Sequence, residues 1–308
     1  GGGRVVVVPA CIQEPLDALA EKLDRPAKIT YADLVLLNWS VTSEGKTDSK
    51  GAVKPGRDTL ENLRIHQRFL AVPAEEWFFK MHIAMEGEAA ECISAISGGL
   101  CAIQQDNVPA VTSCLDSLCQ GLRSLISCHP DPYPHSSRAE LVLMRRLKPF
   151  IAPDASLKEF SCWVYAGHSA LIPTLFMFLG VKKGKHCLQA WRENSVKYMP
   201  TEHRKFIGMI QSNVTARAFV KGKIMAKSSL RVHDIAVLEG SFNRCIEQLL
   251  RFCSRRSQLV CRCVPNVAQW FREVEMKQEA EFLTRSHCAL LIGRKLLAPL
   301  NPEGGTSD

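Results

Sequence analysis

The stretch Ser241–Cys263, SFNRCIEQLLRFCSRRSQLVCRC, decides the fold class. It contains neither Pro nor Gly, and its apolar residues recur at helical spacing at Phe242, Cys245, Leu249, Phe252, Leu259 and Cys263. This pattern predicts a helix of about six turns with one inward stripe. Continuing the stripe by four residues from Phe252 reaches Arg256. Because an unpaired buried charge is costly, an inward Arg needs an anionic partner. The helix therefore either lines a polar pocket or departs from its pattern at this one position, and we expect the pocket.

The composition is that of a soluble globular protein. The chain has 308 residues, a net charge of +8, 46% hydrophobic residues and 23% charged residues. Its Lys and Arg residues are scattered, which argues against a nucleic-acid site, and no apolar run has membrane-spanning length. Thirteen cysteines without framework spacing favour reduced thiols. Cys261 and Cys263 form CxC rather than CxxC, which argues against structural zinc. We expect a cytoplasmic monomer without a membrane anchor.

The pattern divides the chain into two unequal helical parts. Residues 1–58 are expected to form a partial small N-terminal domain, with short helices over Pro15–Leu23 and Tyr31–Trp39 and a polar linker over 43–58. Residues 59–308 are expected to form a large helical domain. Strand signals are nearly missing, so the predicted fold class is all-α.

Residues 73–97 form the second informative stretch. Pro73 and the two acids that follow predict a helix start, and Gly98 with Gly99 predicts its end. Phe78 and His82 share one face of this helix. A His on an apolar face is most often a core residue bonded to a backbone carbonyl. The alternative is a group that lines a ligand pocket.

The small-residue segment 165–170, YAGHSA, precedes an apolar run and allows close backbone approach to a ligand, although it equally suits a tight turn. The sequence contains no Walker loop, GxSxG elbow or HExxH motif. Residue patterns alone therefore predict a helical protein with a possible ligand pocket and no defined reaction.

An ordered set of segments resembles the indoleamine 2,3-dioxygenase family. The segments are YADLVLLNW at 31–39, QRFL at 67–70, WFFKMHIAMEGEAA at 77–90, RRLKPFIA at 145–152, YAGHSA at 165–170, FLGV at 178–181, KYMPTEHRKFI at 197–207 and SFNRCIEQLLRFCS at 241–254. The resemblance implies a small α domain over a large helical domain that holds one haem b. It also implies the use of O2 to open the indole ring of L-tryptophan to N-formylkynurenine.

The resemblance implies roles for individual residues. On the distal side of the haem, the resemblance implies that His82 and Ser169 are catalytic residues. It places Phe78 and Gly167 beside the cofactor, and Tyr31 and Ala170 beside the substrate. The position of the family's substrate-clamping Arg is Lys148, which keeps the charge but loses the bidentate fork. The position of its indole-packing Phe is Leu143, which keeps volume without ring stacking.

The iron-ligand side departs further from the family. The position of the proximal His falls on Arg256, whose guanidinium has no lone pair to give to iron. The position of the family Arg that binds a haem propionate is Cys253 here, and the position of the Asp that pairs with that Arg is Phe176. Both charges of the pair are replaced, so neither is left without its partner. Two substitutes for the iron ligand stay open. One is the Cys253 thiolate. The other comes from a second alignment of the chain with the family, in which Cys288 occupies the ligand position and His287 is the nearest imidazole.

Two functions from different classes follow. The first is a haem dioxygenase acting on tryptophan or a related indole, with His287, Cys253 or Cys288 serving the iron. The second is a haem-free, non-catalytic descendant that binds a small anionic or aromatic ligand or a protein partner, with Arg256 as an anion clamp.

Overall fold

The computed structural model describes residues 8–42, 55, 57–128, 146–147, 169–181, 196–226 and 231–263. Within these ranges the α-helices are α1 Ala10–Lys22, α2 Pro73–Gln104, α3 Val108–Cys128, α4 Leu171–Phe178, α5 Thr201–Gln211, α6 Ala216–Met225 and α7 Val232–Cys263. Two short strands, β1 Trp39–Val41 and β2 Leu63–Ile65, follow a π-helix at Ala32–Leu36 and a 3-10 helix at Arg57–Asn62 respectively. The all-α prediction is confirmed. None of the described helices is long and apolar enough to span a membrane.

Helix α7 buries the stripe that its sequence predicts. Phe242, Cys245, Leu249 and Phe252 are all fully buried in the main core. The helix begins at Val232 rather than at Ser241, and Gly240 lies inside it. The side chains of residues 256–263 lie outside the described residues, so the inward orientation of Arg256 stays a prediction.

Helix α3 lies between α2 and α7 and packs against both. Its own stripe of Val111, Leu115, Leu118, Leu122 and Leu125 is fully buried. A helix in this central position contacts two partners, which is why so much of its apolar surface is removed from water. The buried residues of α2, α3, α4 and α7 form one continuous core cluster.

The predicted end of α2 at Gly98 and Gly99 is wrong, because the helix continues to Gln104. A Cβ atom at Gly99 would lie 2.7 Å from Cζ of Phe178, and one at Gly98 would lie 3.2 Å from Sγ of Cys114. These glycines therefore serve the close approach of neighbouring elements to α2, where a side chain has no room. Sequence reasoning mistook glycines needed for packing for a C-terminal cap.

The segment after Tyr31 also differs from its prediction. The π-helix ends at Leu36, and Trp39 already lies in β1, so no helix runs to residue 39. The Asn38 amide nitrogen donates to the carbonyl oxygens of Leu34 and Gln67, and the Gln67 N–H donates back to Oδ1 of Asn38. These hydrogen bonds satisfy the end of the short helix and turn the chain into the strand.

A second core cluster holds the N-terminal elements against the start of α2. Its buried members are Tyr31, Leu34, Val35, Leu63, Ile65, Phe79, Ile83 and Leu147. Strand β1 pairs antiparallel with β2, with Ser40 opposite Arg64. The sheet thus joins chain from both sides of the boundary expected near residue 58, and that division of the chain into domains stays a prediction.

Candidate functional site

One face of α2 carries the residues on which the candidate site is built. Phe78, His82 and Glu86 follow one another at four-residue spacing, so their side chains lie on the same face of the helix. All three are half-buried. The segment begins at Pro73 with two acids in its first turn, which favours the helix start and fixes the register of this face.

The His82 ring lies against the aromatic residue one turn before it. Nδ1 of His82 is 2.9 Å from the carbonyl oxygen of Phe78, and the two ring centroids are 4.5 Å apart at a tilt of 51°. If Nδ1 carries the hydrogen, it donates to that carbonyl and Nε2 is left with the lone pair. The hydrogen bond to backbone is the one expected of a core histidine. The half-buried ring is also compatible with lining a pocket.

Glu86 joins two residues that the sequence placed in the site separately. The Tyr31 hydroxyl donates to Oε1 of Glu86 at 2.8 Å, and the Ser169 hydroxyl donates to the same oxygen at 2.7 Å. Tyr31 is 3% exposed and Ser169 is 4% exposed. Both distances lie in the ordinary range for O–H···O hydrogen bonds. The structure therefore brings Tyr31, Ser169 and the His82 face of α2 into one cluster.

Sequence reasoning missed Glu86. The available signal was its spacing of four residues from His82, on a face that was already a candidate. Its two partners lie 55 and 83 residues away along the chain, so the sequence alone did not reveal that they meet.

Ser169 also contacts the first residue of α4, which begins two positions later. Its Oγ accepts a hydrogen bond from the backbone N–H of Leu171 at 3.2 Å. Ala170, the other candidate in this segment, is half-buried immediately before α4. The contact with Glu86 and the contact with Leu171 together fix the position of the serine hydroxyl at the N-terminus of α4.

The two positions to which the resemblance assigns the family's Asp–Arg pair lie in or beside the main core. Phe176 is buried within it, and Cys253 packs against its edge as a partly buried thiol. An apolar ring and a thiol suit this environment, where a single remaining charge would be unfavourable. This fits the interpretation that both charges were replaced together.

The remaining candidates are not placed by the structure. Gly167, Leu143, Lys148, His287 and Cys288 lie outside the described residues, as does the side chain of Arg256. Leu147, the neighbour of Lys148, is buried in the second core cluster beside the start of α2.

A sequence profile of the indoleamine 2,3-dioxygenase family matches residues 3–152 and 154–291 of the chain. The chain belongs to the indoleamine 2,3-dioxygenase family. It is 25% identical over 292 residues to the indoleamine 2,3-dioxygenase of Saccharomyces cerevisiae, a match that covers 84% of this chain and 59% of the yeast protein.

Two further relatives show the spread of the family. Indoleamine 2,3-dioxygenase 1 of Mus musculus is 28% identical over 232 residues, covering 70% of this chain and 54% of the mouse protein. A 6-hydroxytryptophan 2,3-dioxygenase of Fusarium equiseti is 22% identical over 272 residues, covering 83% of this chain and 62% of the fungal protein. The chain thus spans 54–62% of the length of these indoleamine 2,3-dioxygenase family members.

The residues that the resemblance assigns to haem fit that cofactor only in part. Phe78 and His82 supply an aromatic ring and an imidazole. Arg256, to which the resemblance assigns the iron ligand, has a guanidinium with five donors and no lone pair, and so cannot ligate iron. In the part of the chain that the structure describes, no group of three or more His, Cys, Asp or Glu side chains is placed to hold a metal ion.

Proposed function

We propose that this chain is an indoleamine 2,3-dioxygenase-like protein whose ligand is a tryptophan-like indole. The reaction is the oxidative opening of the indole ring of L-tryptophan to N-formylkynurenine, in which both atoms of O2 enter the product. The observation that carries the proposal is the cluster in which Glu86 holds Tyr31 and Ser169 beside the His82 face of α2. Tyr31 and Ser169, which the family resemblance assigns to one pocket, both bind this carboxylate on the helix face that carries His82.

Haem b belongs to the proposal as the cofactor of this reaction. Since the Arg256 guanidinium does not suit iron, His287 would hold the iron, with Cys253 and Cys288 as the alternatives. Phe78 and Gly167 would contact the cofactor. Lys148, Leu143 and Ala170 would contact the substrate, and the Lys148 ammonium would attract the substrate carboxylate without the bidentate geometry of an Arg.

A second candidate function is favoured by Arg256 itself. An Arg in the register of the buried α7 stripe suits a site that binds an anion rather than iron. The protein is then a haem-free family member that binds a small anionic or aromatic ligand or a protein partner.

An absorption spectrum of protein mixed with haem distinguishes the two candidates. We expect a Soret band that stays with the protein through gel filtration, followed by N-formylkynurenine formation from L-tryptophan under reducing conditions. His287→Ala should abolish the band, while His233→Ala, which removes an exposed imidazole at the start of α7, should leave it unchanged. Protein that elutes without haem favours the second candidate.

We also propose that the protein is a cytoplasmic monomer that binds no nucleic acid. The number of cysteines without framework spacing supports a reducing compartment. Light scattering of the purified protein tests the monomer, and fractionation of cells expressing it tests the compartment.

A further inference from the structure

We propose that Glu86 is a positioning residue that fixes the hydroxyl hydrogens of Tyr31 and Ser169, so that both oxygens can offer only lone pairs to a ligand. The ligand group recognised at this point is then an N–H donor. This inference rests on the proposed function, because it assumes that the Tyr31–Ser169 side of the cluster faces the bound indole compound.

The geometry fixes the direction of both hydrogen bonds. Tyr31 Oη and Ser169 Oγ lie 2.8 and 2.7 Å from the same carboxylate oxygen, Oε1 of Glu86. An ionised carboxylate only accepts hydrogen bonds, so each hydroxyl must be the donor.

Each hydroxyl has a single hydrogen, and Glu86 receives both of them. Any further partner of either oxygen must therefore donate. Ser169 already shows this arrangement, since its Oγ accepts the N–H of Leu171 at 3.2 Å while it donates to Glu86. The same constraint applies to Tyr31, whose oxygen can receive an N–H from a ligand but cannot donate to a ligand carbonyl or carboxylate.

The position of Glu86 explains why one residue can serve both partners. It lies one turn beyond His82 on α2, between the N-terminal elements that carry Tyr31 and the start of α4 that carries Ser169. Both partners are almost completely buried, so water competes weakly for these hydrogen bonds. Loss of the Glu86 side chain as an acceptor therefore frees the hydroxyls of both Tyr31 and Ser169 to rotate.

Two N–H groups of a tryptophan-like ligand could be the donor, the indole ring N–H and the ammonium. Three probes separate them in calorimetric titrations of the full chain. The probes are L-tryptophan, 3-(benzothiophen-3-yl)-L-alanine, which lacks the ring N–H, and indole-3-propionate, which lacks the ammonium. We expect one of the two analogues to bind the parent protein about five- to tenfold more weakly than L-tryptophan, as the loss of one hydrogen bond predicts.

The variants Glu86→Ala, which removes the acceptor, and Tyr31→Phe should remove that discrimination, so that L-tryptophan and the disfavoured analogue bind within about twofold of each other. Glu91→Ala, at an exposed acid on the same helix, should keep it. Equal weakening of all three ligands by Glu86→Ala, or unchanged discrimination, would overturn the proposed role in specificity.

Hydrogen exchange at the Leu171 amide tests the positioning role without any ligand or cofactor. Glu86→Ala should accelerate that exchange, because no acceptor at position 86 then holds the Ser169 hydroxyl, while Glu91→Ala should not. If the parent protein binds none of the probes, the proposed function and the ligand specificity both fail. The exchange rates still decide the positioning role, and an unchanged rate in Glu86→Ala overturns it.

Discussion

At the scale of single residues, the carboxylate of Glu75 organises the turn before α2. It is completely buried, and it accepts the backbone N–H groups of Phe69, Leu70 and Ala71 at 2.7, 2.8 and 2.9 Å. Ala71 has a positive φ of 52°, so this turn depends on the carboxylate to organise it. The contact fixes the chain between β2 and α2, and with it the register of the face that carries His82.

Glu75→Ala should therefore destabilise the protein by about 3 kcal/mol, because three backbone donors lose their acceptor in a buried place. Urea denaturation measures the change. Glu76→Ala is the matched control. It removes a half-buried acid whose partners are Arg68 and Lys80, and such an ion pair contributes about 1 kcal/mol or less. Equal losses in the two variants would show that the buried carboxylate has no special role.

At the scale of elements, the glycines of α2 have a different role from the glycine of α6. A methyl group at Gly99 would meet Cζ of the fully buried Phe178 at 2.7 Å, whereas one at Gly222 would meet nothing within 4 Å. Gly99→Ala should destabilise by about 1–3 kcal/mol through overpacking. Gly222→Ala should stabilise by up to about 1 kcal/mol, because Ala is the better helix former. Thermal denaturation of both variants gives the two signs, and a stable Gly99→Ala variant contradicts the packing argument.

Helices α3 and α7 meet at a pair of thiols. The hydrogen bond with Cys245 lowers the pKa of Cys119 to about 6, and the same hydrogen bond together with burial raises the pKa of Cys245 well above its ordinary value of 9.0. Sγ of Cys245 also lies 2.9 Å from the carbonyl oxygen of Leu115, one turn before Cys119 on α3. One thiol of the pair is thus set to lose its proton well before the other.

The unfolded chain keeps both protons up to a pH near 9.0, whereas the folded pair loses one near pH 6. Because the unfolded state binds more protons in this window, the free energy of unfolding should rise with pH between about 6 and 9. Above that window the unfolded chain loses both protons while Cys245 keeps its own, so the trend should reverse. Denaturant titrations under reducing conditions should show this slope in the parent and in Cys101→Ser, and a flatter one in Cys119→Ser.

At the scale of the whole molecule, the sequence predicted what depends on local periodicity. The α7 stripe from Phe242 to Phe252 is buried as expected. The predictions from sequence failed for residues whose role depends on partners far away along the chain. Gly98 and Gly99 make room for Cys114 and Phe178, and Glu86 is held by Tyr31 and Ser169. Neither relation has a signature at short sequence spacing.

Substitutions at position 256 test whether the helical core holds haem. This position continues the register of four fully buried α7 residues, so an imidazole there should point the same way as Phe252. Arg256→His should tighten haem binding by about tenfold or more, because it replaces a group without a lone pair by an iron ligand.

Arg255→His is the matched control for that variant, since it adds an imidazole one position out of register on the same helix. It should leave haem binding unchanged in Soret titrations. The double variant Arg256→His, His287→Ala should keep the tighter haem binding, because the imidazole at position 256 then serves the iron in place of His287. Equal effects of the two single variants would mean that the α7 stripe does not face the haem, and the expectation that Arg256 lines the pocket would then fail.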